Sequence, residues 1–105
     1  MNKIIVKELA FFFLVKLGYK ILLRDYECAV GAIDLISKRD GVLVFTEVLT
    51  NKEKPSGTME AATRYYLKRY GITSGVNTCF ETVRVTIKKD TEPVFKIARG
   101  MAVVL

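Results

Sequence analysis

The sequence contains no histidine. No Ser-His-Asp triad, Cys-His dyad, imidazole base or His-ligated zinc can be built from it. Any chemistry therefore falls to carboxylates, lysines, hydroxyls and an oxygen-ligated metal. Cysteine is nearly absent as well. Cys28 and Cys79 are too far apart in the chain for a metal-ligand motif and too few for a disulfide framework. That suits a reducing, cytoplasmic setting. Long apolar runs are also missing. The longest near the N-terminus, Leu9 to Val15, lies between Glu8 and Lys16 with no small-x-small cleavage site after it. It is not expected to be a secretory leader, and it falls short of the roughly 20 apolar residues of a membrane span.

What is present is a globular balance. The 105 residues are 50% hydrophobic and 27% charged, which is one domain's worth over residues 1–105. Seventeen Lys and Arg against eleven Asp and Glu give a net charge of +6, compatible with a polyanionic partner.

A first helix is expected from about Asn2 to Leu17, closed by Gly18. Its apolar residues cover more than one stripe. The Phe11–Phe13 cluster is therefore expected either to pack on both sides within the domain or to face a partner chain. After Gly18 the period changes. Tyr19 to Leu23 forms a strand ending in the polar 24–27 segment, and Ala32 to Ile36 and Val42 to Leu49 form two more. Asp40-Gly41 between them is a two-residue hairpin signal. Asn51 to Gly57 is a polar loop, and a second helix begins at Ser56 or Gly57 and stops at Gly71. Thr82 to Lys88 alternates as a half-wet strand, Lys89 to Thr91 turns, and Val94 to Ile97 returns beside it. The apolar tail, residues 101–105, is expected to dock. This order gives an α+β sandwich of α/β/α type on a mixed sheet flanked by helices.

Two carboxylates interrupt two of these apolar strands. With the turn at Asp40-Gly41, Lys38 faces Leu43, Ile36 faces Phe45 and Asp34 faces Glu47, and alternation puts positions 32, 34, 47 and 49 on one face. Opposed acids have Cβ atoms ~5 Å apart, and at an effective dielectric near 20 their repulsion reaches ~3 kcal/mol. A shared proton, an inserted cation side chain or a bridging divalent metal such as Mg²⁺ relieves it. A slipped register or a wet sheet face removes the problem altogether.

Three blocks carry a family likeness: Gly18-Tyr19-Lys20-Ile21-Leu22, Gly31-Ala32-Ile33-Asp34-Leu35-Ile36, and Leu43-Val44-Phe45-Thr46-Glu47-Val48-Leu49-Thr50. In order, they resemble the GYxIL, GEIDLI and LVFVEVKTR blocks of the YraN-like predicted endonucleases. That resemblance implies a restriction-endonuclease-like fold, with archaeal Holliday-junction resolvases as relatives. It also implies Asp34 and Glu47 as metal-binding and catalytic acids on Mg²⁺ (or Mn²⁺). The chain departs from the pattern where the motif Glu is Ala32 and the motif Lys is Leu49, and where Lys7 stands at the first helix's usual Glu, with Glu8 one step out of register. If 32 and 49 face each other, the missing Glu and Lys are one lost ion pair.

Metal-assisted phosphodiester hydrolysis needs an activated water and charge stabilisation, and Leu49 supplies neither. Lys52 or Lys54 is the candidate for a relocated lysine. Nucleic acid, most simply DNA, is the expected partner through Lys52, Lys54, Arg64 and Lys68. The tyrosines of Arg64-Tyr65-Tyr66-Leu67-Lys68-Arg69-Tyr70 either stack on bases or pack on the sheet. Three readings remain: a nucleic-acid-binding protein with a degenerate nuclease site, an active Mg²⁺-dependent endonuclease, and a non-catalytic homodimer joined through the Phe-rich helix.

Overall fold

The computed structural model describes residues 2–72 and 75–100. Helix α1 (Lys3–Lys16) starts at Asn2, whose side chain accepts the Ile4 N–H at 2.9 Å. It ends as the glycine signal requires. Gly18 is left-handed at φ 94°, and the Tyr19 N–H returns to the Leu14 carbonyl at 3.0 Å. Strands β1 (Lys20–Cys28), β2 (Gly31–Arg39) and β3 (Val42–Thr50) follow as an antiparallel meander. Helix α2 (Met59–Arg69) then crosses over, so that β4 (Thr78–Thr86) lies parallel to β3, and β5 (Val94–Arg99) closes the sheet antiparallel to β4. The spatial order is β1-β2-β3-β4-β5.

The sheet is thus mixed, with a helix on each face, in the α+β class and consistent with a restriction-endonuclease-like fold. Alternation along β3 separates two cores. Val44 and Val48 pack with Val6, Ala10 and Leu14 of α1 and with Val83 and Val85 of β4. Leu43 and Phe45 face the other way, onto Ala62 and Leu67 of α2 and Ile33 and Ile36 of β2. The hairpin is as the sequence predicts: Asp40 (φ 51°) and Gly41 (φ 77°) are both left-handed, and Ile36 pairs with Phe45 and Lys38 with Leu43.

Several boundaries move, among them the start of α2, which is Met59 after an N-cap at Thr58 rather than Ser56 or Gly57. β1 runs on through the polar Arg24–Glu27 segment, because an edge strand keeps its side chains wet at little cost. β4 begins at Thr78 rather than Thr82, since Glu81, a charge that looks like a strand end, is buried with partners from β1 and β5 territory. β5 extends to Arg99. The Phe cluster divides: Phe13 stacks on Phe95 with centroids 4.2 Å apart, Phe11 lies under the Arg24 guanidinium at 4.1 Å, and Phe12 is 56% exposed. Cys28 and Cys79 are free thiols. Among the described residues no helix is long and apolar enough to cross a membrane. The expected docking of 101–105 lies outside the described residues.

Gly31 shows why the start of α2 can approach β2. A Cβ there meets Thr58 Oγ1 at 2.7 Å and Thr58 Cβ at 2.8 Å. Gly31→Ala is therefore expected to destabilise the fold by about 1–3 kcal/mol through overpacking, measured as a lowered urea midpoint.

Candidate functional site

The two strand acids sit where the central strand changes its company. The β2–β3 ladder is paired from Arg39↔Val42 to Leu35↔Thr46, while β3 continues to Thr50 paired only with β4. Beyond Thr46 the β2-facing backbone groups of β3 need partners other than a strand. Side chains supply them. The Val48 N–H donates to Asp34 Oδ2 at 2.7 Å, and Lys3 Nζ donates to the Val48 carbonyl at 2.6 Å. The same Lys3 Nζ meets Glu53 Oε1 at 2.5 Å, and that oxygen also accepts the Thr50 N–H at 3.0 Å.

The expected cross-strand quartet is corrected accordingly. The ladder does not extend to a 34/47 or a 32/49 pair. Ala32 pairs with Glu27 of β1 and is exposed, whereas Leu49 is 1% exposed. Asp34 and Glu47 also have different partners. Asp34 turns to α1: Lys7 Nζ lies 3.3 Å from its Oδ1 and also pairs with Asp25. Glu47, 9% exposed, accepts the Ser56 N–H on Oε2 at 3.2 Å, and its Oε1 is buried with no hydrogen-bond partner among the described residues.

For Asp34, an inserted cation is the relief that the structure shows. Desolvation pulls the Lys7 pKa down. The hydrogen bond to Asp25 and the negative charge of Asp34 outweigh it, so the ammonium is held above its ordinary value. Glu53 shifts the other way. Its carboxyl is held below the usual range first by the hydrogen bond from Lys3 and next by the Thr50 amide. Lys3 and Lys7 are four apart and so share one face of α1. Glu8, the acid out of register, instead binds Arg24.

This donor set does not fit a resident divalent metal. One Asp34 oxygen accepts from Val48 and the other faces Lys7. Among the described residues no group of three His, Cys, Asp or Glu side chains is placed to hold an ion.

The four cations expected to meet nucleic acid fall on two elements. Lys52 and Lys54 are exposed on the loop after β3 and make no ion pair among the described residues. Arg84 fixes that loop: its Nη1 donates to the carbonyls of Thr50 (2.8 Å), Asn51 (3.2 Å) and Glu53 (2.7 Å). Arg64 and Lys68 lie exposed on α2, with Arg64 paired to Glu60 at 2.7 Å. Tyr66 packs edge-on against Phe45 and Tyr26, while Tyr70 is 58% exposed.

Sequence reasoning missed Lys3, Glu53, Arg84 and Glu81. The four-residue spacing of Lys3 and Lys7 was the available signal. Glu81 had none, because its partners are remote. It is 2% exposed, takes the Tyr19 hydroxyl at 2.7 Å and Arg99 Nε at 3.2 Å, and borders a cavity of about 390 Å³ with Arg39 and Cys79.

The sequence profile of the uncharacterised protein family UPF0102 matches residues 7–85, from the Lys7 turn of α1 to the end of β4. The chain belongs to the UPF0102 family. This is the family of the YraN-like proteins that its three blocks resemble. UPF0102 proteins similar to it include one from Caldicellulosiruptor saccharolyticus, 37% identical over 67 residues, covering 60% of this chain and 57% of that one. One from Wolinella succinogenes is 36% identical over 77 residues, covering 64% and 70%. One from Roseiflexus castenholzii is 44% identical over 45 residues, covering 43% and 36%. The chain thus spans between about a third and three fifths of the length of several of the UPF0102 relatives it matches.

Two outcomes follow from the charge geometry. Lys7→Met leaves Asp34 and Asp25 without their cation and is expected to cost about 1–3 kcal/mol at neutral pH, read by urea denaturation. Because the Lys7 value is raised, this loss is full below the unfolded lysine value. It vanishes as pH rises through the folded one. The Glu53 carboxyl is depressed, so the Lys3–Glu53 contribution is present above the unfolded carboxyl value and fades as pH falls through the folded one. The stability gap between wild type and Glu53→Gln is expected to hold above an ordinary glutamate pKa of ~4.3 and to close on further acidification below it.

Proposed function

We propose that this UPF0102 protein binds nucleic acid, DNA in the simplest case, and is a restriction-endonuclease-like protein with a degenerate phosphodiesterase site. The observation that carries this reading is the Lys7 ammonium against Asp34, a tethered cation beside the very carboxylate that a metal-dependent mechanism needs free. Leu49, buried where the motif lysine belongs, supports it. Lys52 and Lys54 on the Arg84-pinned loop, with Arg64 and Lys68 on α2, supply the phosphate-binding charge. The free Cys28 and Cys79 accord with a cytoplasmic site of action.

The test pairs cleavage with binding. End-labelled branched, single-stranded and duplex DNA is incubated with Mg²⁺ or Mn²⁺ and wild type, Asp34→Asn or Glu47→Gln. No cutting is expected. Cutting abolished by both substitutions would instead establish an active endonuclease with its lysine relocated. Binding followed by anisotropy is expected to weaken steeply with salt, and Lys52→Ala and Lys54→Ala to lower the log–log salt slope by roughly 1 each. A salt-independent affinity, or none, sinks the reading.

The homodimer reading has one observation in its favour: Ile5, Phe12 and Val15 are exposed on α1. Sedimentation of wild type and Phe12→Glu separates it, since only an α1-mediated dimer dissociates on that substitution.

A further inference from the structure

The two helices leave part of the sheet bare. On the face away from α1, α2 packs on Ile33, Ile36, Leu43 and Phe45 of β2 and β3, with Phe80 of β4 at its margin. Beyond Phe80 the same face carries Thr82, Arg84 and Thr86 of β4, paired in turn with Ala98, Lys96 and Val94 of β5. None of these six belongs to either core, because alternation sends Val83, Val85, Phe95 and Ile97 to the α1 side. Val94, Lys96 and Ala98 are exposed. Arg84 and Lys96 are directly opposed, two cations with Cβ atoms ~5 Å apart. Neither has an ion pair among the described residues. Arg84 gives its Nη1 to the uncharged carbonyls of Thr50, Asn51 and Glu53, so its charge is not cancelled. Like charges so placed cost a sheet stability, and an anion over them relieves it.

At the turn end of these strands lies an open cleft of about 390 Å³, lined by both Lys88 and Lys96 with Asn51, Thr86 and Thr91. Val94 completes the lining, and Glu92 is its one acid among the described residues. Asn51 accepts the Thr86 hydroxyl on Oδ1 at 3.0 Å, which leaves its amide NH2 to donate. Thr91 holds the turn by donating to the Lys88 carbonyl at 3.0 Å. Lys52 and Lys54 come next after Asn51, so the cleft continues into the basic loop. Glu53 of that loop is already paired with Lys3, and Lys89 and Asp90 of the turn cancel in charge. Resting on the nucleic-acid reading above, we infer that this bare half of the sheet is the surface on which nucleic acid lies, with Lys88 and Lys96 holding phosphates beside those held by Lys52 and Lys54. The face offers cations and an amide donor, and none of its exposed residues is aromatic. It therefore grips the sugar-phosphate backbone without stacking on bases, and binding is independent of sequence.

Anisotropy of labelled mixed-sequence duplex and single-stranded DNA, titrated over a series of salt concentrations, tests this. Lys88→Ala and Lys96→Ala are each expected to lower the log–log salt slope by roughly 1, and Lys88→Arg and Lys96→Arg to keep it. Lys20→Ala and Lys38→Ala remove the same charge from the exposed β1–β2 edge and are expected to leave the slope unchanged. Glu92→Gln is expected to tighten binding about twofold, a gain that no loss of structure produces. All five positions are exposed, so the variants keep the fold. Wild-type affinity that falls steeply with salt, while Lys88→Ala and Lys96→Ala match it, overturns this surface and leaves the nucleic-acid reading standing. Equal losses from Lys20→Ala and Lys38→Ala overturn it too, since net charge alone then acts. Labelled polyglutamate bound more tightly than DNA, with the same two losses, assigns the face to an acidic protein instead. No binding of either DNA by the wild type rejects both claims.

Discussion

Val48 is where the central strand keeps one neighbour and loses the other. On the β4 side its pairing continues, and on the β2 side its amide and carbonyl are left to side chains. Buried backbone groups do not go unpaired in stable proteins, so Asp34 and Lys3 are structural necessities before they are anything else. That one requirement organises much of the surrounding polar structure. It draws α1 across the sheet with Lys3 and Lys7 facing inward, brings Glu53 under Lys3, and sets the path of the chain as it leaves β3.

The electrostatics balance locally. Lys3 and Lys7, one turn apart, face Glu53, Asp34 and Asp25, with Lys3 paired to Glu53 and Lys7 shared between Asp34 and Asp25. Glu47 is the exception, with one oxygen lacking a donor among the described residues. The two acids that look equivalent in the sequence thus have opposite surroundings. Asp34 is saturated and Glu47 is under-satisfied, one on the α1 side and the other against the start of α2.

Much of this was legible in the sequence. Asp40-Gly41 fixed the hairpin and the register of Ile36 with Phe45. Gly18 and Gly71 marked the helix ends, and the element order implied a mixed sheet with a helix on either side. What stayed hidden was tertiary. Period-2 alternation shows which way a side chain points but not how far its neighbouring strand accompanies it, so Asp34 and Glu47 could be counted as opposite while the ladder stops one step earlier. Glu81 looked like the polar end of a connection because Tyr19 and Arg99, which hold it, are distant in sequence. Arg84 looked like an ordinary wet position of an alternating strand, and only the parallel β3–β4 pairing carries it to the Thr50–Glu53 carbonyls.

That parallel pairing has a consequence for how the molecule comes together. The β1-β2-β3 meander joins neighbours through tight turns, and its contacts are local. Leu43 meets Thr78 only after the whole of α2 has been folded back, the kind of long closure that costs the chain most entropy and slows assembly. Arg84 arrives with β4, so the basic loop acquires its guanidinium clasp at the end of the most non-local step in the fold. Until then the lysines it carries hang on an untethered segment, and the surface that would meet a polyanion is a late product of folding, absent from any partly formed meander.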